Sequence, residues 1–238
     1  MTESSNHAAI PSRELRFIST HWSTLSNPSR FVTRYGAAVR AYLRALLPTH
    51  DDADEVEQEF LLQVVAQGFP SAAPGLGRFR HYLITVVRNA AFAHLRKQSR
   101  RPAAAGDLCH VPAKAAADRE WERNWRACVL QNVWHALRDH QKRKPGNFFH
   151  SVLKASVDHP EEDSTALAAR VSHATGQTHS PESFRKQLSR ARRRFAELLV
   201  DEVTGTLTDP TPELLAEELR DLDLMKYVRT LLPESRDS

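Results

Sequence analysis

The chain has 238 residues, which fits one or two domains, and 41% of them are hydrophobic, enough to build compact cores. Only 8 glycines occur, while alanine, leucine, arginine and glutamate are abundant, so we expect an all-α protein. The net charge of +4 favours an anionic partner. No long apolar run is present, which excludes a membrane-spanning helix, and the polar first 13 residues lack the apolar segment of a signal peptide.

Residues 1–19 are expected to be a disordered N-terminus and residues 20–101 a first helical domain. The first helix carries an apolar stripe from Phe31 to Leu46 at helical spacing and ends before Pro48. The second begins near Asp51, where residues 51–60 hold six acidic side chains and no basic one. The third, residues 79–98, lies within residues 78–101, which hold seven arginines or lysines and no acid. Blocks of opposite charge predict separate faces for separate partners.

Residues 102–117, rich in proline, alanine and glycine, are predicted to be a linker. A second helical domain follows over residues 118–203, with helices at 118–142, 147–157, 164–174 and 180–202. Ser180, Pro181 and Glu182 favour a helix start, because serine caps the first turn, proline fits it and glutamate suits its positive dipole end. Residues 204–238 are predicted to be an acidic helical extension, since residues 201–238 hold ten acids against four bases.

The two basic helices suggest nucleic-acid binding by different means. A short helix, a turn and a capped, arginine-rich helix form a helix-turn-helix pattern, in which the start of the second helix meets base edges and later arginines bind phosphates. The basic helix at 78–101 also carries Phe79, Tyr82 and Phe92, and aromatic rings beside cations suit melted DNA. The alternatives are a solvated arginine face in the first case and core packing of the rings in the second.

No pattern indicates catalysis, a metal or a cofactor. The carboxylates of residues 51–60 face solvent without a neighbouring histidine or cysteine, whereas a catalytic acid or base needs a sheltered environment. The histidines show no zinc-binding spacing, and no phosphate-binding glycine loop is present. Cys109 and Cys128 form no disulfide framework, which fits a reduced, cytoplasmic chain. We therefore expect a protein that is not an enzyme and needs no cofactor.

Four segments, in order, resemble bacterial extracytoplasmic-function (ECF) RNA polymerase sigma factors. The segment DDADEVEQEF at 51–60 resembles their acidic helix, and GRFRHYL at 77–83, with VRN at 87–89 and LRK at 95–97, resembles the next helix of the same domain. The segment SRARRRF at 189–195 resembles the end of their recognition helix, and HWSTL at 21–25 resembles the N-terminal signature of one subgroup. The resemblance implies a sigma region 2 bundle, a linker and a region 4 helix-turn-helix.

The resemblance also implies partners and the residues that bind them. Core RNA polymerase would be bound by Asp51, Asp54, Glu55, Gln58 and Glu59. The −10 promoter element would be opened and read by Arg78, Arg80, Tyr82, Arg88, Asn89, Arg96 and Lys97. The −35 element would be bound by Ser183, Arg185, Lys186, Gln187, Arg190, Arg192 and Arg193. Core polymerase and promoter DNA are then the expected partners, an anti-sigma factor is a further partner class, and no membrane is involved.

Two departures from the family pattern concern the −35 site: the turn before Ser180 is longer than usual, and Phe184 stands where a branched aliphatic residue is usual. Two other functions compete with the sigma-factor interpretation. A stand-alone helix-turn-helix regulator would bind DNA without polymerase, and a nuclease would need metal-binding carboxylates beside a basic cleft. The acidic extension allows two hypotheses of its own: it folds back onto a basic face and restrains DNA binding, or it simply packs on the second domain.

Overall fold

The computed structural model describes residues 27–69, 78–99 and 111–229, which form helices and short connections with one isolated antiparallel bridge. The predicted all-α fold class is confirmed. The expected disordered N-terminus at 1–19, the HWSTL segment, residues 102–110 of the predicted linker and residues 230–238 of the extension lie outside the described ranges. Within those ranges, no helix is both long and apolar enough to cross a membrane.

The first block consists of α1 (Pro28–Leu46), α2 (His50–Gln67) and α3 (Phe79–Ser99). Asn27 caps α1 and Thr49 caps α2, each by accepting a hydrogen bond from a backbone N–H three residues further on. Helix α2 stops at Gly68, whose φ of 75° favours a residue without a Cβ. The apolar stripe predicted for α1 is buried from Phe31 to Tyr42. Helices α2 and α3 both pack against α1, so the three helices form a bundle.

The remaining helices are α4 (Val111–Arg143), α5 (Phe149–Asp158), α6 (Ser164–Thr175), α7 (Pro181–Thr204), α8 (Pro212–Asp221) and α9 (Met225–Val228). Helix α4 begins at Val111, whereas the sequence predicts a start at Asp118. Residues 111–117 of the predicted linker are therefore helical. Alanine is the best helix former, and Ala117 is fully buried, so packing extends the helix where composition alone indicated a linker.

Aromatic contacts in the main core join α1 of the first block to α4. Tyr35 stacks on Trp125 with ring centroids 4.3 Å apart, and Tyr42 meets Trp121 edge-on at 5.6 Å. Leu199 of α7 and Leu219 of α8 are buried in the same cluster. Because large aromatic surfaces dominate core energetics, α4 is fixed along α1 in this arrangement.

A second, smaller core holds α5, α6 and the start of α7 together. Its buried members are Val152, Ala155, Leu167, Ala168, Val171 and Phe184. Helix α6 ends at Gly176 in the left-handed conformation, with φ 69°, and α7 starts at the predicted Ser180 cap. The chain thus presents the N-terminal half of α7 on a small helical unit of its own.

Candidate protein-binding and nucleic-acid-binding surfaces

Helix α2 presents the acidic face that the sequence predicts. The five residues expected to bind polymerase are all exposed; they are Asp51, Asp54, Glu55, Gln58 and Glu59. Glu57 behaves differently, because it is buried and its Oε2 accepts a hydrogen bond from Arg40 Nε over 2.8 Å. Asp54 lies 3.2 Å from Arg44 in an exposed pair. The face is therefore free of strong internal pairing and keeps most of its negative charge for a partner.

Two apolar side chains extend this face, and sequence reasoning did not single them out. Leu62 is 61% exposed and Val65 is 55% exposed, and both line an open groove beside Gln58 and Asp54. Their positions lie off the buried stripe formed by Ala53, Val56, Phe60 and Val64. Exposed apolar residues rimmed by polar ones mark protein-binding sites, and this off-stripe placement was the available signal.

The predicted −10 residues on α3 differ in their exposure to solvent and fall into two groups. Asn89, Arg96 and Lys97 are exposed, as expected for DNA contacts. Tyr82 is only partly exposed, and Phe79 is fully buried in the core, so core packing accounts for that ring. Phe92, at 37%, is the exposed aromatic side chain of the helix. The accessible part of this surface therefore lies in the C-terminal half of α3.

Arg78 and Arg80, at the start of α3, are covered by acidic residues of α8. Arg80 is only 2% exposed, and its Nε donates a hydrogen bond of 2.7 Å to Oε1 of the fully buried Glu218. Its Nη2 lies 3.2 Å from Asp221 Oδ2. Arg78 pairs with Glu217 at 2.9 Å and also with Asp221. In this arrangement neither guanidinium group is available to DNA.

Arg88, in the middle of α3, also has an acidic partner outside the first block. Its Nη2 lies 2.6 Å from Oδ1 of Asp118 on α4, and its Nε donates to the hydroxyl of Tyr42 over 2.9 Å. Burial raises the pKa of Tyr42, so this phenol stays protonated and donates to Asp118 over 3.2 Å. Burial, followed by the charge of Arg80, lowers the pKa of His81, which keeps that ring neutral near pH 7.

Helix α6, a turn and α7 lie where the sequence predicts the helix-turn-helix. His179 fills the long turn: its backbone N–H donates to Ser172 Oγ over 2.8 Å, and its ring meets Phe148 at 4.7 Å. Phe184 is fully buried in the small core, so the larger side chain is accommodated inside. Both departures from the expected pattern are therefore absorbed by packing without distorting the start of α7.

The predicted −35 residues fall on two sides of α7. Ser183, Lys186, Gln187 and Arg190 line one open groove together with Lys144, which precedes α5 and was missed because it lies far away in sequence. Arg192 lines a different groove, among the apolar residues of α4, α5 and α9.

Several of these side chains have local partners. Arg185 donates to Ser164 Oγ over 2.8 Å, and Lys186 pairs with Glu182 at 2.6 Å. Gln187 Oε1 accepts from the Phe148 N–H over 3.2 Å, so its carbonyl supports the start of α5 while the amide group remains a donor. Arg193 is exposed and pairs with Glu197. The exposed pairs contribute little stability and can be exchanged for phosphate contacts.

One group of side chains within the described ranges has ligand atoms close enough for a metal. His159, Glu161 and Glu162 bring such atoms within 4.8 Å of one another. The group is surface-located, and Glu162 is engaged by Arg170, whose Nε donates to Oε2 over 3.2 Å. The ion pair with Arg170 explains the position of Glu162 without any metal.

A comparison with protein families bears on the first block. Residues 31–101 match the family model of sigma-70 region 2. Over these residues, the first block is similar to sigma-70 region 2. This match supports a sigma-70 family role in promoter recognition and transcription initiation, a role in which the polymerase carries the catalytic chemistry.

Neither a curated protein nor a solved structure matches the chain. The matched residues contain α1 from Phe31 onward, α2 and α3, and they end before α4. The carboxylates that cover Arg78, Arg80 and Arg88 therefore all belong to parts of the chain outside the matched domain.

Proposed function

We propose that the protein is a sigma factor of the ECF type, which carries core RNA polymerase to a promoter and has no catalytic site of its own. Helix α2 binds the polymerase, α3 captures the melted −10 element, and the start of α7 binds the −35 element in the major groove. The observation that carries this proposal is the region 2 match, within which all five predicted polymerase-binding side chains are exposed. Such a factor acts in the cytoplasm, where an anti-sigma factor is a further expected partner.

The helix-turn-helix supports the assignment of a second promoter contact. Its groove combines cations that bind phosphates, such as Lys144 and Arg190, with Ser183 and Gln187, whose polar groups suit base edges. Residues 20–101 and 118–203 then act as two promoter-binding units, joined through residues 102–117. Phosphate contacts dominate this binding, so affinity for DNA should fall steeply as salt rises.

The test is run-off transcription with sigma-free core polymerase on promoter fragments from the host. The proposal expects discrete transcripts that require the protein and that disappear in a Gln58→Ala/Glu59→Ala variant. A Gln131→Ala/Glu161→Ala variant is the matched control, because it removes one glutamine and one glutamate that are exposed but lie away from α2 and the groove of α7. This control should transcribe like the unmodified protein.

The alternative function is a stand-alone helix-turn-helix regulator, which the separate small core around Phe184 favours because it builds this unit independently of α2. Sequence-specific DNA binding without core binding and without transcripts would establish that function instead. Transcription that is equally strong in both double variants would refute the role given to the acidic face of α2.

A further inference from the structure

Helix α8 places its acidic side chains on the start of α3. Arg80 is 2% exposed and is bonded to Glu218, which is 0% exposed, at 2.7 Å. A third carboxylate partner of Arg80, Glu122 of α4, lies 3.8 Å from Nη1. Buried charges persist only when they are paired, so Arg80 and Glu218 depend on each other for their position.

Arg78 lies in the same network and is more accessible. Its guanidinium group meets Glu217, Glu218 and Asp221, while its side chain keeps 13% exposure. Together with Glu122, four carboxylates surround two guanidinium groups, so this end of α3 carries a net negative charge. The field here repels DNA phosphates, in contrast to the basic sequence of α3 itself.

The backbone after α7 strengthens the same contact. Phe79 N–H donates to Thr206 carbonyl oxygen over 3.0 Å, and Arg78 forms an isolated bridge with Leu207. On its other side, α8 places Leu215 and Leu219 in the core, and Leu222, directly after the helix, is buried there too. Helix α8 is thus amphipathic. Its leucines hold it in the core, and its acidic side chains contact the arginines at the start of α3.

We propose that α8 is an intramolecular clamp that competes with single-stranded promoter DNA for Arg78 and Arg80. This inference rests on the proposed function, because it takes α3 to be the −10 surface. Carboxylates and phosphates both form charge-assisted pairs with guanidinium groups, so DNA phosphates can take the places of the exposed Glu217 and Asp221. In the clamped state, DNA reaches only the exposed half of α3, with Asn89, Arg96 and Lys97.

If DNA engages these arginines only when the α8 acids are displaced, the apparent affinity is the intrinsic affinity multiplied by the fraction of molecules in that state. Glu217 and Asp221 are about half exposed, at 52% and 47%, so they can exchange partners without dismantling the core. Their pairing with Arg78 weakens as salt screens exposed charges. DNA binding and displacement of α8 are therefore coupled, and each favours the other.

The test compares two variants, each of which loses two negative charges from residues 213–223. Glu217→Gln/Asp221→Asn removes the exposed clamp carboxylates, whereas Glu213→Gln/Asp223→Asn removes two exposed acids that do not contact Arg78 or Arg80. The full-length proteins are titrated with a labelled, mixed-sequence single-stranded DNA at low salt. The first variant should bind this DNA at least about threefold more tightly than the second, because it lacks the two partly exposed ion pairs that hold α8 against α3.

Two further readouts separate a clamp from general electrostatics. Adding Arg78→Ala to the clamp variant should remove most of the gain, and hydrogen exchange of the amides at 212–221 should accelerate when the unmodified protein binds single-stranded DNA. Equal affinities for the two double variants, or unchanged exchange in the DNA complex, would overturn the clamp. Failure of the proposed function is detected by a different measurement. The unmodified chain would then not bind core polymerase, whatever the result of the DNA titration.

Discussion

Replacement of Glu202 by alanine should lower the free energy of unfolding by about 3–4 kcal/mol, the lower part of the range for breaking a buried pair. The carboxylate, on α7, accepts hydrogen bonds on Oε1 from Tyr35 Oη over 2.7 Å and from Asn132 Nδ2 over 2.8 Å. Its Oε2 pairs with Arg34. Glu202 is 8% exposed but Arg34 is 24% exposed, so the orphaned guanidinium regains some hydration, which sets the lower estimate.

The measurement is chemical denaturation followed by circular dichroism and tryptophan fluorescence. Tyr35→Phe is the matched control. It removes one donor but leaves the carboxylate paired, and it should cost roughly 1.5–2 kcal/mol, near the lower end of the range for a hydrogen bond to a charged group. Burial, followed by the charge of Glu202, raises the pKa of Tyr35 well above its ordinary value, so the phenol remains a donor throughout the neutral range. A Glu202→Ala loss within about 0.5 kcal/mol, typical of an ordinary surface change, would refute the docking of α7 on α1.

Two further predictions concern acid stability and promoter discrimination. Hydrogen bonds from Thr49 and then His94 lower the pKa of Asp52, so its stabilising contribution is present above the ordinary value of about 4 and is lost as pH falls through the lower folded-state pKa. Asp52→Asn should therefore flatten the acid limb of a melting-temperature profile, and an unchanged limb would count against the contact. Arg185→Ala should reduce discrimination between promoter and random duplex DNA by about 1–3 kcal/mol if Arg185 meets a base edge. Competition binding measures this loss, and an equal loss on random DNA would indicate a phosphate contact.

Local sequence signals predicted the helices well because their causes are local. The buried stripes of α1, α2 and α4 follow from apolar residues three and four apart, and the structure buries residues such as Phe31, Val56 and Trp125 accordingly. The start of α7 follows from Ser180, whose Oγ accepts from Ser183 N–H over 3.1 Å. The outward placement of Asp54, Glu55 and Glu59 on α2 follows from the same periodicity.

Helical spacing separates Arg80 from Arg96 but does not reveal the partner of Arg80. Arg80 lies on the buried stripe of α3 with Leu83 and Val87, whereas Arg96 lies about 160° away on the exposed side. The carboxylate that pairs with Arg80 belongs to Glu218, which lies 138 positions further along the chain, and no spacing rule reaches that far. The early start of α4 has a similar origin, since the burial of Ala117 depends on packing against other helices.

The structure contains the packing that one hypothesis for the acidic extension requires, and it places acids of the extension beside arginines of α3, whereas restraint of DNA binding stays a prediction. Leu215 and Leu219 pack into the core, as the packing hypothesis expects, and this packing brings Glu218 to the basic end of α3, as the restraint hypothesis expects. Deleting the extension would expose apolar surface as well as free the arginines, so a change in DNA affinity after truncation would have two causes. Charge-neutralising substitutions on the exposed side of α8 keep the leucines in place and isolate the electrostatic cause.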